Sequence, residues 1–161
     1  MTAASLPTVA FQIQAALRTV LEAWTPLAGI DIATGPRRKD VIEGITVARP
    51  KSRATAQTFE MYADDGTVAI VADAFVQGTG EATIDDARER AALLLAEALA
   101  AVRVNTGDHT IGGLVLSCAS ALDFEEVDSY TEEPGARLAG HGYTISCTID
   151  YTARVVPIGG S

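Results

Sequence analysis

The residues with chemistry to offer fall in a few short stretches. Gly78-Thr79-Gly80 lies where an extended segment gives way to a helical one, and backbone amides at such a junction can cradle a phosphate. The pattern stops there. The next glycine of a dinucleotide fingerprint would fall on Thr83, and Glu81, Asp85 and Asp86 would repel the incoming phosphate. A flexible strand-to-helix turn is the expectation. His109 and His141 adjoin glycine-containing loops and lack a further His, Cys or carboxylate at the spacing metal sites favour; Asp108 is merely adjacent to His109. Ser117, Cys118, Ser146 and Cys147 fall inside extended segments, whereas a nucleophile is presented from an exposed, strained turn with a base in reach. These stretches lead to the expectation of no catalytic residue, no cofactor and no metal ion.

What remains is charge. The chain of 161 residues carries a formal net charge of −9, and its charges are unevenly placed. Arg37, Arg38, Lys39, Arg49, Lys51 and Arg53 make half of the 12 basic residues, whereas Asp123, Glu125, Glu126, Asp128, Glu132 and Glu133 form a run without a base. The acidic run lacks the Asp-x-Asp-x-Asp-Gly ladder of a calcium loop and reads as a solvated loop. The basic cluster has no interleaved aromatics on which bases would stack, and the overall acid surplus argues against a general nucleic-acid binder. A basic edge that meets the acidic loop of the next copy is the complementary reading, since such a heterologous contact closes cyclic rings. The two clusters are therefore the candidate subunit interface.

Hydrophobic residues make up 48% of the chain and aromatics only 6%, so the core must be built from Ala, Val, Leu and Ile. One domain over 1–161 is expected, with a short flexible tail at 156–161. Cys118 and Cys147 are too few for a secreted disulfide framework; free buried thiols are the simpler expectation and a bridge the alternative. The beginning of the chain has no basic segment followed by an apolar block, and no stretch approaches the run of about 18 apolar residues that would span a bilayer. A cytoplasm-like compartment is the expectation.

The elements that must position these charges follow from periodicity. Val9, Ile13, Ala16, Leu17, Val20, Leu21 and Trp24 mark one face of a helix over Thr8–Trp24, with Ser5 or Thr8 as cap and Pro26 after its end. A loop over Gly29–Pro36 precedes a strand near Asp40–Ala48 that Pro50 stops, and Arg49–Arg53 reads as a projecting polar loop. Ala54–Ala63 and Thr67–Gln77 flank Asp64-Asp65-Gly66, which reads as the tight turn of a hairpin. Thr83-Ile-Asp-Asp86 resembles a capping box ahead of a helix ending near Gly107, and its Ala/Leu stripe is wide enough to touch a second helix or a partner subunit. Strands at Leu114–Val127 and Gly142–Val155 complete the chain. In the last, Tyr143, Ile145, Cys147, Ile149, Tyr151, Ala153 and Val155 alternate with polar residues, so one face is buried and the other wet. The fold class is α+β, a mainly antiparallel sheet with helices on one face in the order α-β-β-β-α-β-β.

The order of parts resembles the tail terminators of long-tailed bacteriophages and gene transfer agents, also called minor tail or tail-completion proteins. The resemblance rests on the amphipathic helix Val9–Trp24, a three-stranded segment with a polar loop at Arg49–Thr55, and the Ala/Leu helix Ile84–Val104. It is completed by the Gly-x-Gly-Tyr-x-Ile-x-Cys-x-Ile-x-Tyr-x-Ala-Arg strand Gly140–Arg154, preceded by the aromatic and acidic strand Leu122–Tyr130. It covers nearly the whole chain but concerns architecture more than sequence. It implies a homo-oligomer, a hexameric ring that caps the tail tube, stops its growth and joins the head connector, with DNA passing through the lumen unbound. It also implies assembly in the bacterial cytoplasm, residence in the particle tail, no membrane association and no catalysis. Head-tail connector and tube subunits share parts of the pattern, and the lack of a long β-arm or C-terminal extension favours the terminator. Two rivals come from other classes: a small-molecule-binding or enzymatic α+β domain, which needs polar residues converging on the buried side of the strands, and a toxin-antitoxin-like or regulatory partner protein.

Overall fold

The first helix, α1 (Ala10–Glu22), buries Ala10, Ile13, Leu17 and Leu21, the stripe that its 3–4 spacing predicts. Its end is closed by Ala23 N–H donating to the Thr19 carbonyl (3.1 Å), and Thr25–Leu27 adds a single 3-10 turn around Pro26. The computed structural model describes residues 6–35, 43–58, 60–78, 80–106, 111, 117–131 and 140–157, without the side chains of 105–106, 117–122 and 129–131. Ser5, Gly107, Asp108 and His109 lie outside them, as does the expected tail from 158 onward.

Six strands follow: β1 (Asp31–Ala33), β2 (Gly44–Val47), β3 (Lys51–Ala56), β4 (Tyr62–Gln77), β5 (Ser117–Thr131) and β6 (Gly140–Val155). They form one sheet in the order β1-β2-β4-β6-β5, with β3 paired to β4 beyond the end of β2. All pairs are antiparallel except β1 with β2. The α+β class and the antiparallel sheet agree with the periodicity. Strand β1, however, lies where a loop is expected, because three residues with one buried side chain, Ile32, are too short to show a period.

The hairpin is displaced from its expected place. Asp64, Asp65 and Gly66 sit in mid-strand, where β4 pairs residue for residue with β6 from Tyr62–Val155 to Gln77–Gly140. The chain reverses instead near Thr58: Gln57 N–H and Thr58 N–H donate to the Met61 carbonyl, and Thr58 Oγ1 accepts from Met61 N–H at 3.0 Å. Gly66 has no positive φ. It is small for a different reason: a Cβ there would stand 2.6 Å from the Tyr151 hydroxyl across the ladder.

Nor is Arg49–Arg53 a projecting loop. Ala48 N–H still donates to the Ala69 carbonyl (2.8 Å), and when pairing resumes at Lys51–Thr67 the register has slipped by one residue. β2 and β3 are thus one strand broken by a bulge at Ala48–Pro50, a place where a missing N–H is tolerated. Gln14 of α1 reaches over this edge, its amide donating to the carbonyls of Val47 and Thr34 at 3.0 Å each.

The second helix, α2 (Glu81–Thr106), starts upstream of Thr83, so the expected capping box is already inside the helix. Gly78, at φ +138°, follows β4, and Gly80 precedes α2 with its carbonyl accepting from Thr83 N–H; Thr79 between them lies outside the described residues. Ala87, Ala91, Leu94, Leu95, Ala98, Ala101 and Val102 are buried, α1 packs against α2, and Trp24 Nε1, just beyond the end of α1, donates to Glu97 at 2.8 Å. The wide stripe therefore meets a second helix within the same chain. Both helices lie on the sheet face to which Ile45, Val47, Val68, Ile70, Ala72, Ile145, Cys147, Ile149, Tyr151 and Ala153 point, and these residues belong to one core cluster. Cys147 is a free thiol in that core. Burial, reinforced by Asp123, pushes the thiol above its usual range. His141 stands near the start of β6.

The other face of the sheet carries neither of the described helices. Along β4 and β6 it presents Thr67, Ala69, Val71 and Asp73 paired with Asp150, Thr148, Ser146 and Thr144, and Thr144 hydrogen-bonds Asp73 across the strands. This is the wet face that the alternation of β6 predicts.

Candidate functional site

The two charged clusters occupy opposite edges of the sheet. Arg49 lies in the bulge and Lys51 and Arg53 on β3, which among the described strands pairs with β4 alone; Asp123, Glu125, Glu126 and Asp128 lie on β5, which among them pairs with β6 alone. Three strand spacings of about 4.8 Å, roughly 14 Å, separate these edges. Arg37, Arg38, Lys39, Glu132 and Glu133 lie outside the described residues. The acidic residues from Asp123 to Asp128 stand on a strand, not in a loop, because pairing with β6 continues to Thr131–Gly140.

Register sets the two basic residues of β3 on one face and divides the acidic residues of β5 between both. Lys51 and Arg53 pair with Thr67 and Asp65, and so point to the bare face; Ser52 and Ala54 pair with Gly66 and Asp64, on the helix side. On β5, Asp123, Glu125 and Val127 pair with Thr148, Ser146 and Thr144 of the bare face, whereas Phe124, Glu126 and Asp128 pair with Cys147, Ile145 and Tyr143. Arg49, Lys51, Arg53, Asp123, Glu125 and Asp128 are exposed and form no ion pair among the described residues.

Glu126 is different, being held within the chain. It accepts from the Tyr143 hydroxyl (2.8 Å) and from Arg88 of α2 (3.3 Å). The hydrogen bond from Tyr143, then that from Arg88, keep its carboxyl below the usual glutamate range, and the same contact with Glu126 pushes the Tyr143 phenol up. Arg90 makes the corresponding tie on the other side, its guanidinium bidentate on Glu43 just before β2 at 2.8 and 3.0 Å.

Beside the basic edge lies a group that sequence periodicity misses. Asp64 on β4 is 0% exposed, the one buried charged residue among those described. Its Oδ2 accepts from Val9 N–H at 2.8 Å and from the Thr8 hydroxyl at 2.7 Å, while Thr8 Oγ1 accepts from Ala10 N–H. A carboxylate from the sheet thus finishes the start of α1, the role expected of Ser5 or Thr8 alone. The Tyr151 phenol shares this pocket and is pushed up, first by burial, with Asp64 adding to it and the hydroxyls of Ser52 and Thr8 pulling the other way. Asp64 Oδ1 and Tyr151 Oη are buried without a hydrogen-bond partner among the described residues. The rival expectation of polar groups on the buried side of the strands is met by this pair. In the sequence Asp64 is masked by the turn signature Asp-Asp-Gly; its signal is the two-residue spacing to Gly66 and Val68 in the β4 pattern.

A cleft of about 700 Å³ opens between the first turn of α1 and the bulge, with Thr8 and Ser52 in its wall. A second, shallower groove of about 380 Å³ lies between α2 and β5, where Leu95 and Leu99 meet Phe124 and Ile145. Phe124, 59% exposed, and Phe11 of α1, 67% exposed, are the most open aromatics described. Among the described residues no group of His, Cys, Asp and Glu is arranged to hold a metal ion. No described helix is long and apolar enough to cross a membrane. No family model matches the chain, and neither does any curated protein.

Proposed function

We propose that this protein is a ring-forming tail terminator of a phage-like particle, in which copies associate head to tail, cap the tail tube and offer the opposite rim to a head connector. The observation that carries the reading is the placement of two unpaired edge strands with free charges of opposite sign on opposite sides of one sheet. A sheet built this way presents unlike edges, and unlike edges that meet generate a cyclic array when the rotation closes. The helix-free face adds support. Asp65, Asp73, Asp123, Glu125 and Asp150 outnumber Lys51, Arg53 and Arg154 on it, which suits a lumen wall past which DNA slides, because like charge avoids trapping phosphates.

The test is functional. Purified protein added to polymerising tube protein is expected to shorten the tubes and to appear as a ring at one end. Tubes of unchanged length, with the protein monomeric throughout, would refute the reading. The small-molecule rival has one observation in its favour, the buried Asp64 Oδ1 and Tyr151 Oη without a partner among the described residues, Asp64 being bonded by Thr8 of the cleft wall. It requires that a bound metabolite copurify with the protein and that Asp64→Asn release it.

A further inference from the structure

The cleft at the start of α1 opens at the unpaired edge of β3. It is walled by Phe11 and Gln14 on the helix and by Arg49, Pro50, Lys51 and Ser52 along the bulge and strand. Strand direction limits what can continue the sheet there. β3 is antiparallel to β4, β4 to β6, and β6 to β5, so β5 and β3 run in opposite senses. When copies repeat in one orientation around an axis, β5 of one copy arrives antiparallel at β3 of the next, the geometry of strand addition to a free edge.

Face and charge then select a register. Lys51 and Arg53 point to the bare face, as do Asp123 and Glu125. Setting Glu125 opposite Lys51 places Asp123 opposite Arg53, and the residue between them, Phe124, falls opposite Ser52 on the helix side, where the cleft lies. A slip of one residue would turn Phe124 out of the cleft and separate both charge pairs. Glu126 is already engaged by Arg88 and Tyr143, so it is not required to find a partner outside the chain.

We infer that β5 of one copy adds to β3 of the next in this register, with Glu125 against Lys51, Asp123 against Arg53, and the Phe124 ring seated in the cleft beside Phe11 and Pro50. This rests on the proposal that copies associate, and it names the contact. The cleft is thus the socket for a second copy of this chain.

The experiment is a charge swap read by native mass spectrometry, with circular dichroism confirming the fold of each variant. Lys51→Glu with Arg53→Glu is expected to weaken assembly, raising the half-assembly concentration more than about tenfold, because like charges would then face one another across the contact. Asp123→Lys with Glu125→Lys is expected to do the same, and the four changes in one chain are expected to restore assembly. Ser52→Cys with Phe124→Cys should form a disulfide between copies on mild oxidation. Assembly that survives both reversals overturns the contact while leaving a ring held by other surfaces. Reversals that spare the ring but abolish binding to tube protein would give the cleft to the tube subunit and overturn the inference equally. A wild-type chain that stays monomeric and leaves tube length unchanged overturns the proposed function as well.

Discussion

On the helix side of the sheet two carboxylates take hydrogen bonds from the start or the side chains of a helix, Asp64 on β4 beside the basic edge and Glu126 on the acidic edge strand β5, yet the two differ in kind. Near the basic edge, Asp64 is fully buried and closes the start of α1 through Val9 N–H and Thr8. At the acidic edge, Glu126 is exposed and ties β5 to α2 through Tyr143 and Arg88. Similar contact lengths carry different weight, because water competes for Glu126 and cannot reach Asp64. One edge is thus built around a structural anion, and the other leans on a solvent-screened clasp.

The largest break in this comparison comes from Asp64→Ala. Losing two bonds to a buried charged acceptor and leaving Val9 N–H without a partner should cost about 3 kcal/mol in urea-induced unfolding, with Asp64→Asn falling between that variant and wild type. Gly66→Ala comes next. Its Cβ would press on the Lys51 carbonyl and the Tyr151 ring, an overpacking cost of about 2 kcal/mol. Tyr151→Leu in the same chain should recover part of that loss, measured as non-additivity in a double-mutant cycle.

The smallest effect belongs to Glu126→Gln, which should leave the unfolding midpoint unchanged. Its signature is in pH instead. The Tyr143 and Arg88 contacts lower the carboxyl in the folded chain, so the clasp is complete above the ordinary glutamate range and is lost only as pH falls through the lowered folded value. An NMR titration of Glu126 should show this depression in the wild type and its loss in Tyr143→Phe combined with Arg88→Ala. A Glu126 that titrates normally in the wild type would remove the contrast between the edges.

Much of the fold is legible in the sequence where one face of an element is dry. The alternation of β6 and the 3–4 spacing of α1 each report a single buried side, and both elements stand where they are expected. The misses share a cause, namely local signatures overridden by pairing. Asp64-Asp65-Gly66 has turn chemistry, but sixteen residues of ladder with β6 hold it extended. Pro50 suggests a stop, but one slipped residue lets the strand resume. The charge clusters were visible as clusters; that they lie on opposite edges was not, since β3 and β5 come together in one sheet only through β4 and β6. Phe11 and Phe124 were equally hard to place, because an aromatic outside a helix stripe or on an acidic strand has no local pattern to mark it.

The central claim, that these unlike edges join copies of the chain, is tested most directly by native mass spectrometry of the purified protein with negative-stain imaging of the same sample. The account predicts a single closed oligomer, hexameric if the terminator resemblance holds, seen as a ring with a central opening. A species that remains at 16.8 kDa as concentration rises, with no ring in the images, would contradict it.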